Sequence, residues 1–234
     1  MDISKHPIPK SLKKCTIENS VIEFHFLSPY HRLHIQDQVV NAFKESGVEL
    51  QEFRAVNEIK TNPNAPDPKI SFFSDGIIKF LIGRQTISFN CVSSYPGWDK
   101  FFKFIKFAVN AIPSQDLSFN EVSIRYISTY NLPIFEKLDG NVKLNWFNDI
   151  NGAEVRFPAK GNVFSGLVRV TNLLASSDGN NKTSYVDVDL RTTLQNGSKE
   201  DAFNSCEMLH LEEKKHYFQL LSYEFVKELE PTYE

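Results

Sequence analysis

Residues 185–191 alternate strictly between polar and apolar side chains, and this alternation constrains the fold more than any other feature of the sequence. The segment reads Tyr-Val-Asp-Val-Asp-Leu-Arg. Successive side chains of a β-strand point to opposite faces of the sheet. One face therefore collects apolar groups and the other collects charges, namely Val186, Val188 and Leu190 against Asp187, Asp189 and Arg191. We predict a strand over residues 184–194 that a core covers on one side.

The same period of two recurs along the chain. Residues 21–27 read V-I-E-F-H-F-L, which places Ile22, Phe24 and Phe26 on one face of a strand. Asp75-Gly76 and Gly83-Arg84 are typical of tight turns, because glycine accepts the positive φ angles of a short hairpin. Residues 69–93 are therefore predicted to form an antiparallel meander. The strands predicted by this pattern cover residues 21–27, 52–60, 69–74, 76–83, 85–93, 121–132, 153–157, 163–175 and 184–194.

Three segments carry apolar residues at helical spacing instead. The first, residues 30–46, stops at Gly47, a good C-cap residue. The second begins at Trp98 and runs to Ile112, with its aromatic residues on one stripe and its lysines facing away. The third covers residues 199–230, and we expect it to be bent or broken near His210.

The remaining segments read as connections. Three prolines make residues 61–69 a surface loop, and the composition of residues 176–182 is typical of a hairpin tip. Residues 133–153 are predicted to be loop with a short helix near Trp146. The chain is thus predicted to be a single α+β domain over residues 1–234, a mainly antiparallel sheet with helices packed on one face. Strands lead to a helix twice, at 20–112 and 121–228, which allows two similar halves without a residue-level repeat.

Composition excludes several classes of protein. The 234 residues are 41% hydrophobic and include 20 Phe, which indicates a globular chain with an aromatic core. The net charge of −3 disfavours nucleic-acid binding as the main function, although a local basic patch stays open. The three cysteines are odd in number and far apart, as expected of reduced thiols. No apolar run approaches the ~20 residues of a membrane span. We expect a cytoplasmic protein, and the oligomeric state is left undetermined.

The sharpest group of polar residues combines two strands. Arg125 lies on the opposite face of its strand from Ile124 and Tyr126. If the strands at 121–132 and 184–194 are neighbours, Arg125 can fork onto a carboxylate of the acidic pair Asp187 and Asp189. Two interpretations stay open. The first is a polar cleft in which Asp187 and Asp189 bind a cation or act as acid and base, and the second is an ion pair that holds the register of the sheet. His210 is a further candidate ligand-binding residue, although nothing in the sequence brings it to the strand pair.

No catalytic motif accompanies this group. Tyr95-Pro96-Gly97-Trp98 precedes a helix and could place an anion on free backbone amides, but it lacks the glycines and the lysine of a phosphate loop. Packing of Trp98 at the helix start is the alternative that we favour. There is no nucleophile elbow and no metal-binding pattern. We therefore predict no cofactor, no metal site and no catalytic residue.

The order of several short motifs resembles a sporadically distributed bacterial family of unknown function. Its members carry S-x-D-G, Y-P-G-W, L-R-Y-I-N and L-D-I-D in this order. The corresponding stretches here are 73–76, 95–98, 124–128 and 186–190, within a likeness that spans about residues 20–228. This chain departs from the pattern at Phe73, at Ser128 and in the V-D-V-D stretch. The resemblance implies no catalytic residue, and the patchy distribution of the family implies an accessory or antiviral defence context.

These observations favour a binding or scaffold protein that acts through protein–protein contacts. Another protein is the expected partner, and neither a membrane nor nucleic acid is favoured. The absence of a catalytic set and the high content of aromatic residues support this hypothesis. The alternative is an enzyme or a ligand-binding domain with a polar cleft around Arg125, Asp187 and Asp189.

Overall fold

A computed structural model describes residues 7–27, 32–48, 50–54, 70–73, 78–83, 85–91, 95–114, 117–139, 151–175 and 182–233. The predicted turn at Asp75-Gly76, the loop at 61–69, most of the tip at 176–182 and the helix near Trp146 lie outside these residues. The described chain forms eleven strands and four α-helices. The strands are β1 (Ser11–Leu12), β2 (Ile17–Leu27), β3 (Gln51–Arg54), β4 (Ile70–Phe73), β5 (Ile78–Ile82), β6 (Thr86–Cys91), β7 (Ser118–Tyr130), β8 (Glu154–Lys160), β9 (Ser165–Ala175), β10 (Lys182–Gly197) and β11 (Pro231–Thr232). The helices are α1 (Arg32–Glu45), α2 (Trp98–Asn110), α3 (Lys199–Leu220) and α4 (Tyr223–Glu228), with a 3-10 helix at Ile134–Lys137.

Nine strands build one sheet in the order β3-β4-β5-β6-β2-β7-β10-β9-β8, and every pairing is antiparallel. β2 and β7 lie side by side near the centre, and a meander runs outward from each: β6 to β3 on one side and β10 to β8 on the other. α2 follows the first meander and α3 follows the second. The idea of two similar halves stays a prediction.

The helices pack on one face of this sheet. Phe24 of β2 makes edge-to-face contacts with Phe89 of β6, Phe119 of β7 and Phe203 of α3, at ring-centroid distances of 6.1, 5.9 and 6.4 Å. Phe43 of α1 stacks on Phe80 of β5 at 5.7 Å. The aromatic residues thus join four strands and two helices in one core, and the prediction of an α+β fold with helices on one face is confirmed.

The ends of the helices follow their sequence signals. α1 is followed by Gly47 with a φ of 78°, the left-handed conformation that glycine adopts without steric cost. Gly97 has a φ of 88° directly before α2, so a side chain there would be strained. Ser198 and Asp201 form a reciprocal capping box at the start of α3.

The predicted break near His210 is wrong, because α3 continues without interruption to Leu220. The chain bends at Leu221 and Ser222 instead. There the backbone amide of Asp139 donates to the carbonyl of Leu220 (2.8 Å), and the amide of Ser222 donates to the carbonyl of Lys137 (2.7 Å). Ser222 then caps α4. Backbone pairing with a distant segment ends the helix, and no residue between 199 and 220 is a helix breaker.

We expect Phe24→Ala to lower the free energy of unfolding by about 3–5 kcal/mol, because it empties a site at which three aromatic rings meet. The matched control is Leu27→Ala at the end of the same strand, where the side chain is 51% exposed and the change should be within about 0.5 kcal/mol. Denaturant unfolding measures both values. Equal losses in the two variants would contradict the position of the core.

Candidate functional site

The two central strands β7 and β10 place charged side chains on the face opposite the helices, called the open face below. In β10, Val186, Val188 and Leu190 are buried in the core, which turns Asp187 and Asp189 to the open face. Asp189 lies directly opposite Arg125 of β7 in the antiparallel register. The alternation of side chains along each strand and the register between the strands thus bring Arg125, Asp187 and Asp189 together on one face, as the sequence suggested.

Arg125 binds Asp187 with both arms of its guanidinium. Its Nε donates to Oδ1 at 2.9 Å and its Nη2 donates to Oδ2 at 2.8 Å. Such a bidentate pair is among the stronger hydrogen-bonded contacts between side chains. The Asp187 hydrogen bond is also the main reason why the pKa of Arg125 is raised above its usual value. The fork across the two strands is present as the sequence predicted.

A third strand adds a second guanidinium that the sequence reasoning missed. Arg169 of β9 is the register partner of Asp187, and its Nε lies 3.2 Å from Asp187 Oδ2. Its Nη2 lies 3.7 Å from Asp189 Oδ2. The signal was there in the sequence, because Arg169 stands between Val168 and Val170 in a strand of period two. What the sequence does not disclose is that β9 pairs with β10 in this register.

These charges border a cleft of about 420 Å³, called the polar cleft. Its lining comprises residues of five neighbouring strands: Glu18, Asn19, Arg125, Ile127, Glu154, Arg169, Thr171, Tyr185 and Asp187. A register shift between Ile17 and Asn19 in β2 turns both Glu18 and Asn19 toward the cleft. Three carboxyl groups and two guanidiniums therefore share one depression.

Two buried polar atoms of the polar cleft have no hydrogen-bond partner among the described residues: Oδ1 of Asn19 and Nε of Arg169. The Nε of Arg169 is close to Asp187, but it is not aligned for a hydrogen bond. Buried polar groups are nearly always satisfied, so two orphans in one cleft call for a ligand, a partner or water. Each atom has less than 1 Å² of accessible surface, so a partner reaches it only after the side chain turns toward the cleft. One atom is an acceptor and the other is a donor.

Asp189 differs from Asp187 in its surroundings. Its side chain is 40% exposed, against 10% for Asp187, and its only described ion pair is the long one to Arg169. Burial raises the pKa of Asp189, and the nearby Arg125 opposes this shift. The carboxylate of Asp187 is engaged by two arginines, whereas that of Asp189 is partly exposed to solvent and can accept further hydrogen bonds.

The structure does not bring His210 to this group. It lies on α3, on the opposite face of the sheet, where its ring stacks on Trp98 at a centroid distance of 3.8 Å. Its Nδ1 is 3.5 Å from the hydroxyl of Tyr126. Trp98 also stacks on Phe102, so the expected packing of Trp98 at the start of α2 is present. Burial lowers the pKa of His210 to about 3.

No protein-family model matches the chain, and no curated protein or solved structure is significantly similar to it. The family resemblance therefore stays a prediction. Within the described residues, no cluster of three His, Cys, Asp or Glu side chains is arranged to hold a metal ion. Every helix in the same residues is too short or too polar to serve as a membrane span.

Asp187→Asn is expected to lower the free energy of unfolding by about 1–3 kcal/mol, because it leaves two guanidiniums facing each other without their carboxylate. Partial exposure of both arginines keeps the loss below that of a fully buried pair. Asp189→Asn makes the same chemical change two residues away and should shift stability by less than about 1 kcal/mol. Urea titration at neutral pH compares them, and a larger loss in the Asp189 variant would contradict the assigned pairing.

The stability of the protein is expected to fall on acidification through His210. A histidine whose folded pKa lies below its unfolded value binds its proton more readily when unfolded, so stability is lost as the pH falls from about 6.5 toward 3. The contribution at pH 5 is about 2 kcal/mol relative to pH 7. His210→Phe retains a ring against Trp98 and should remove this part of the slope. Thermal unfolding between pH 4 and 7 tests it, and parallel curves for the two proteins would refute it.

Proposed function

We propose that the chain is a binding protein without catalytic activity, and that the polar cleft on the open face is where it contacts a partner polypeptide. The proposal follows from how the charges are used. Asp187, which a catalytic interpretation needs as a free carboxylate, is held by Arg125 and Arg169. A compensated set of this kind positions side chains for recognition and leaves little for acid–base chemistry.

The observation that carries the proposal is the pair of unsatisfied atoms, Asn19 Oδ1 and Arg169 Nε. A polypeptide backbone offers one N–H donor and one C=O acceptor per residue, so a segment laid across the strands from β2 to β9 could supply a donor for Asn19 and an acceptor for Arg169. The three carboxyl groups of the cleft disfavour a phosphate backbone as the occupant. A protein segment therefore fits the polar cleft better than nucleic acid does.

Asn19→Ala is the variant that separates partner binding from folding. In the free protein, the change removes a buried acceptor that bonds nothing, so the free energy of unfolding should stay equal or rise. In the complex, it removes a hydrogen bond, so partner affinity should fall about tenfold, which corresponds to 1.4 kcal/mol. A merely structural role of Asn19 predicts the reverse pattern.

The measurement is photo-crosslinking in cells of the source organism, with a photoreactive side chain at Thr171 in the cleft and, as a control, at the exposed Lys103 of α2. We expect a discrete protein adduct from position 171 and none of the same mass from position 103. The adduct should weaken in the Asn19→Ala background. A nucleic-acid adduct, equal adducts from both positions, or indifference to Asn19→Ala would each overturn the proposal.

A second candidate function is an enzyme or a small-ligand-binding domain that uses the same cleft. One observation favours it, namely that burial raises the pKa of Asp189, as is common for carboxyl groups at active sites. This candidate predicts that the purified protein turns over a small substrate such as a nucleotide and that Asp189→Asn abolishes turnover. A role as an accessory component of a bacterial defence system belongs to the proposal on the strength of the resemblance. A cytoplasmic location belongs to it because the cysteines are typical of reduced thiols.

A further inference from the structure

A separate cavity lies on the helix face of β7, between the start of α2, the middle of α3 and the chain segment that leads into β2. Its volume is about 260 Å³, and most of its lining is apolar. We call it the aromatic cavity after its walls, which include Tyr95, Trp98, Tyr126, Tyr217 and Phe218. Pockets for drug-sized ligands are typically about 300–1,000 Å³, so this one suits a molecule of lower mass.

One acidic residue, Glu213, lines the aromatic cavity. It is on the buried stripe of α3, between His210 and Tyr217, at a position where an apolar side chain is expected. Only 6% of the residue is exposed, yet no hydrogen bond or ion pair joins its carboxyl to any described residue. A carboxyl in such a place costs several kcal/mol unless a partner compensates it.

The neighbouring polar groups are already engaged with one another. The hydroxyls of Tyr95 and Tyr126 share a hydrogen bond of 3.0 Å, and those of Tyr130 and Tyr217 share a second, short one. The ammonium of Lys214 donates to the carbonyl of Lys10 (3.0 Å) at the rim of the cavity. None of these hydrogen bonds involves Glu213, so its carboxyl can bind a ligand that enters the cavity.

We propose that the aromatic cavity is a binding site for a small primary amine, held as its ammonium ion with Glu213 as the counter-ion. The tyrosine and tryptophan rings cover the apolar part of such a molecule and add cation–π attraction where an ammonium approaches a ring face. A metal ion fits poorly, because a hard cation needs several oxygen ligands and the described residues of the lining offer one carboxyl. An anion would meet that carboxyl as well.

Proton linkage supports the inference. Burial raises the pKa of Glu213 to about 8, with a smaller opposing effect of the nearby Lys214. The empty site is therefore mostly protonated at neutral pH. An ammonium ion beside the carboxyl stabilises the charged form, so the Glu213 proton leaves to solvent when the amine binds and the amine keeps its own. Affinity should rise about tenfold from pH 6 to pH 7 and about fivefold from pH 7 to pH 8, since more of the site is then already deprotonated.

The other titratable or charged groups that line the cavity with Glu213 come from two elements and from connecting segments. His210, Lys214 and Tyr217 belong to α3 and Tyr126 to β7, while Tyr95, Lys10 and Cys15 lie on the connecting segments. His210 does not titrate in this window, because burial lowers its pKa to about 3. Burial also raises the pKa of Tyr95, Tyr126 and Tyr217 above the usual tyrosine value. A Glu213→Gln variant retains all seven groups, so subtracting its pH profile isolates Glu213.

The test is calorimetric titration of the full chain with three probes of matched size, benzylamine, benzyl alcohol and benzoate, with n-butylamine as an unbranched amine. We expect either amine to bind at least tenfold more tightly than benzyl alcohol, with release of close to one proton at pH 7. Glu213→Gln should abolish both the preference and the proton release. The matched control is Glu212→Gln on the same helix, where the carboxyl pairs with Lys215 and does not line the cavity.

Glu213→Gln is nearly isosteric and removes the cost of ionising a buried carboxyl, so the variant should fold and should melt at a higher temperature than the wild type at pH 8. The sign follows from a folded pKa raised above the unfolded one, because that stability is lost as the pH rises toward 8. Equal binding of amine and alcohol, tighter binding of benzoate, no binding of either amine, or amine binding unchanged by Glu213→Gln would each overturn the proposal.

Discussion

The antiparallel pairing of β2, β7 and β10 is the constraint on which the rest of the structure depends. Each strand keeps a period of two along most of its length, so the register decides which side chains meet on either face. Arg125 and Tyr126 illustrate the consequence. They are consecutive residues of β7, but Arg125 belongs to the polar cleft and Tyr126 to the wall of the aromatic cavity. A one-residue slip of this strand would exchange them and destroy both sites.

The sequence predicted the features that depend on local periodicity, such as the face of a strand on which a side chain lies. It did not predict features that depend on contact with a distant segment of the chain. A fork of Arg125 onto a carboxylate of the pair Asp187 and Asp189 could be predicted, because all three residues oppose apolar neighbours in their own strands. The choice of Asp187 could not, because the register places Asp189 directly opposite Arg125. The contribution of Arg169 could not, because it depends on which strand lies beside β10. In the same way, α3 runs past His210 and ends where its last carbonyl accepts a hydrogen bond from Asp139, a partner about eighty residues away in sequence.

The aromatic cavity was invisible in the sequence for a related reason. Glu213 stands in the run Glu212-Glu213-Lys214-Lys215, which is typical of a solvated helix face. In the structure, Glu212 pairs with Lys215 at the surface, while the helical rotation of one further residue turns Glu213 into the core. Adjacent acidic residues on a helix are about 100° apart, so composition alone cannot assign them to the same face. Only the packing of α3 against β7 distinguishes them.

Two buried carboxyls on opposite faces of the same sheet show how compensation determines what an acidic group can do. Asp187 receives two hydrogen bonds from Arg125 and lies beside Arg169, so its charge is neutralised within the protein and stabilises the pairing of β7, β10 and β9. Glu213 receives none from the residues that the structure describes, and burial raises its pKa to about 8. Asp187 is stabilised by arginines of the protein itself, whereas the carboxyl of Glu213 can still be stabilised by a cation that binds beside it. Burying an uncompensated carboxyl destabilises the fold, whereas a leucine at the same position would pack without this cost. The presence of Glu213 in the core is therefore the strongest physical argument that the cavity binds a ligand.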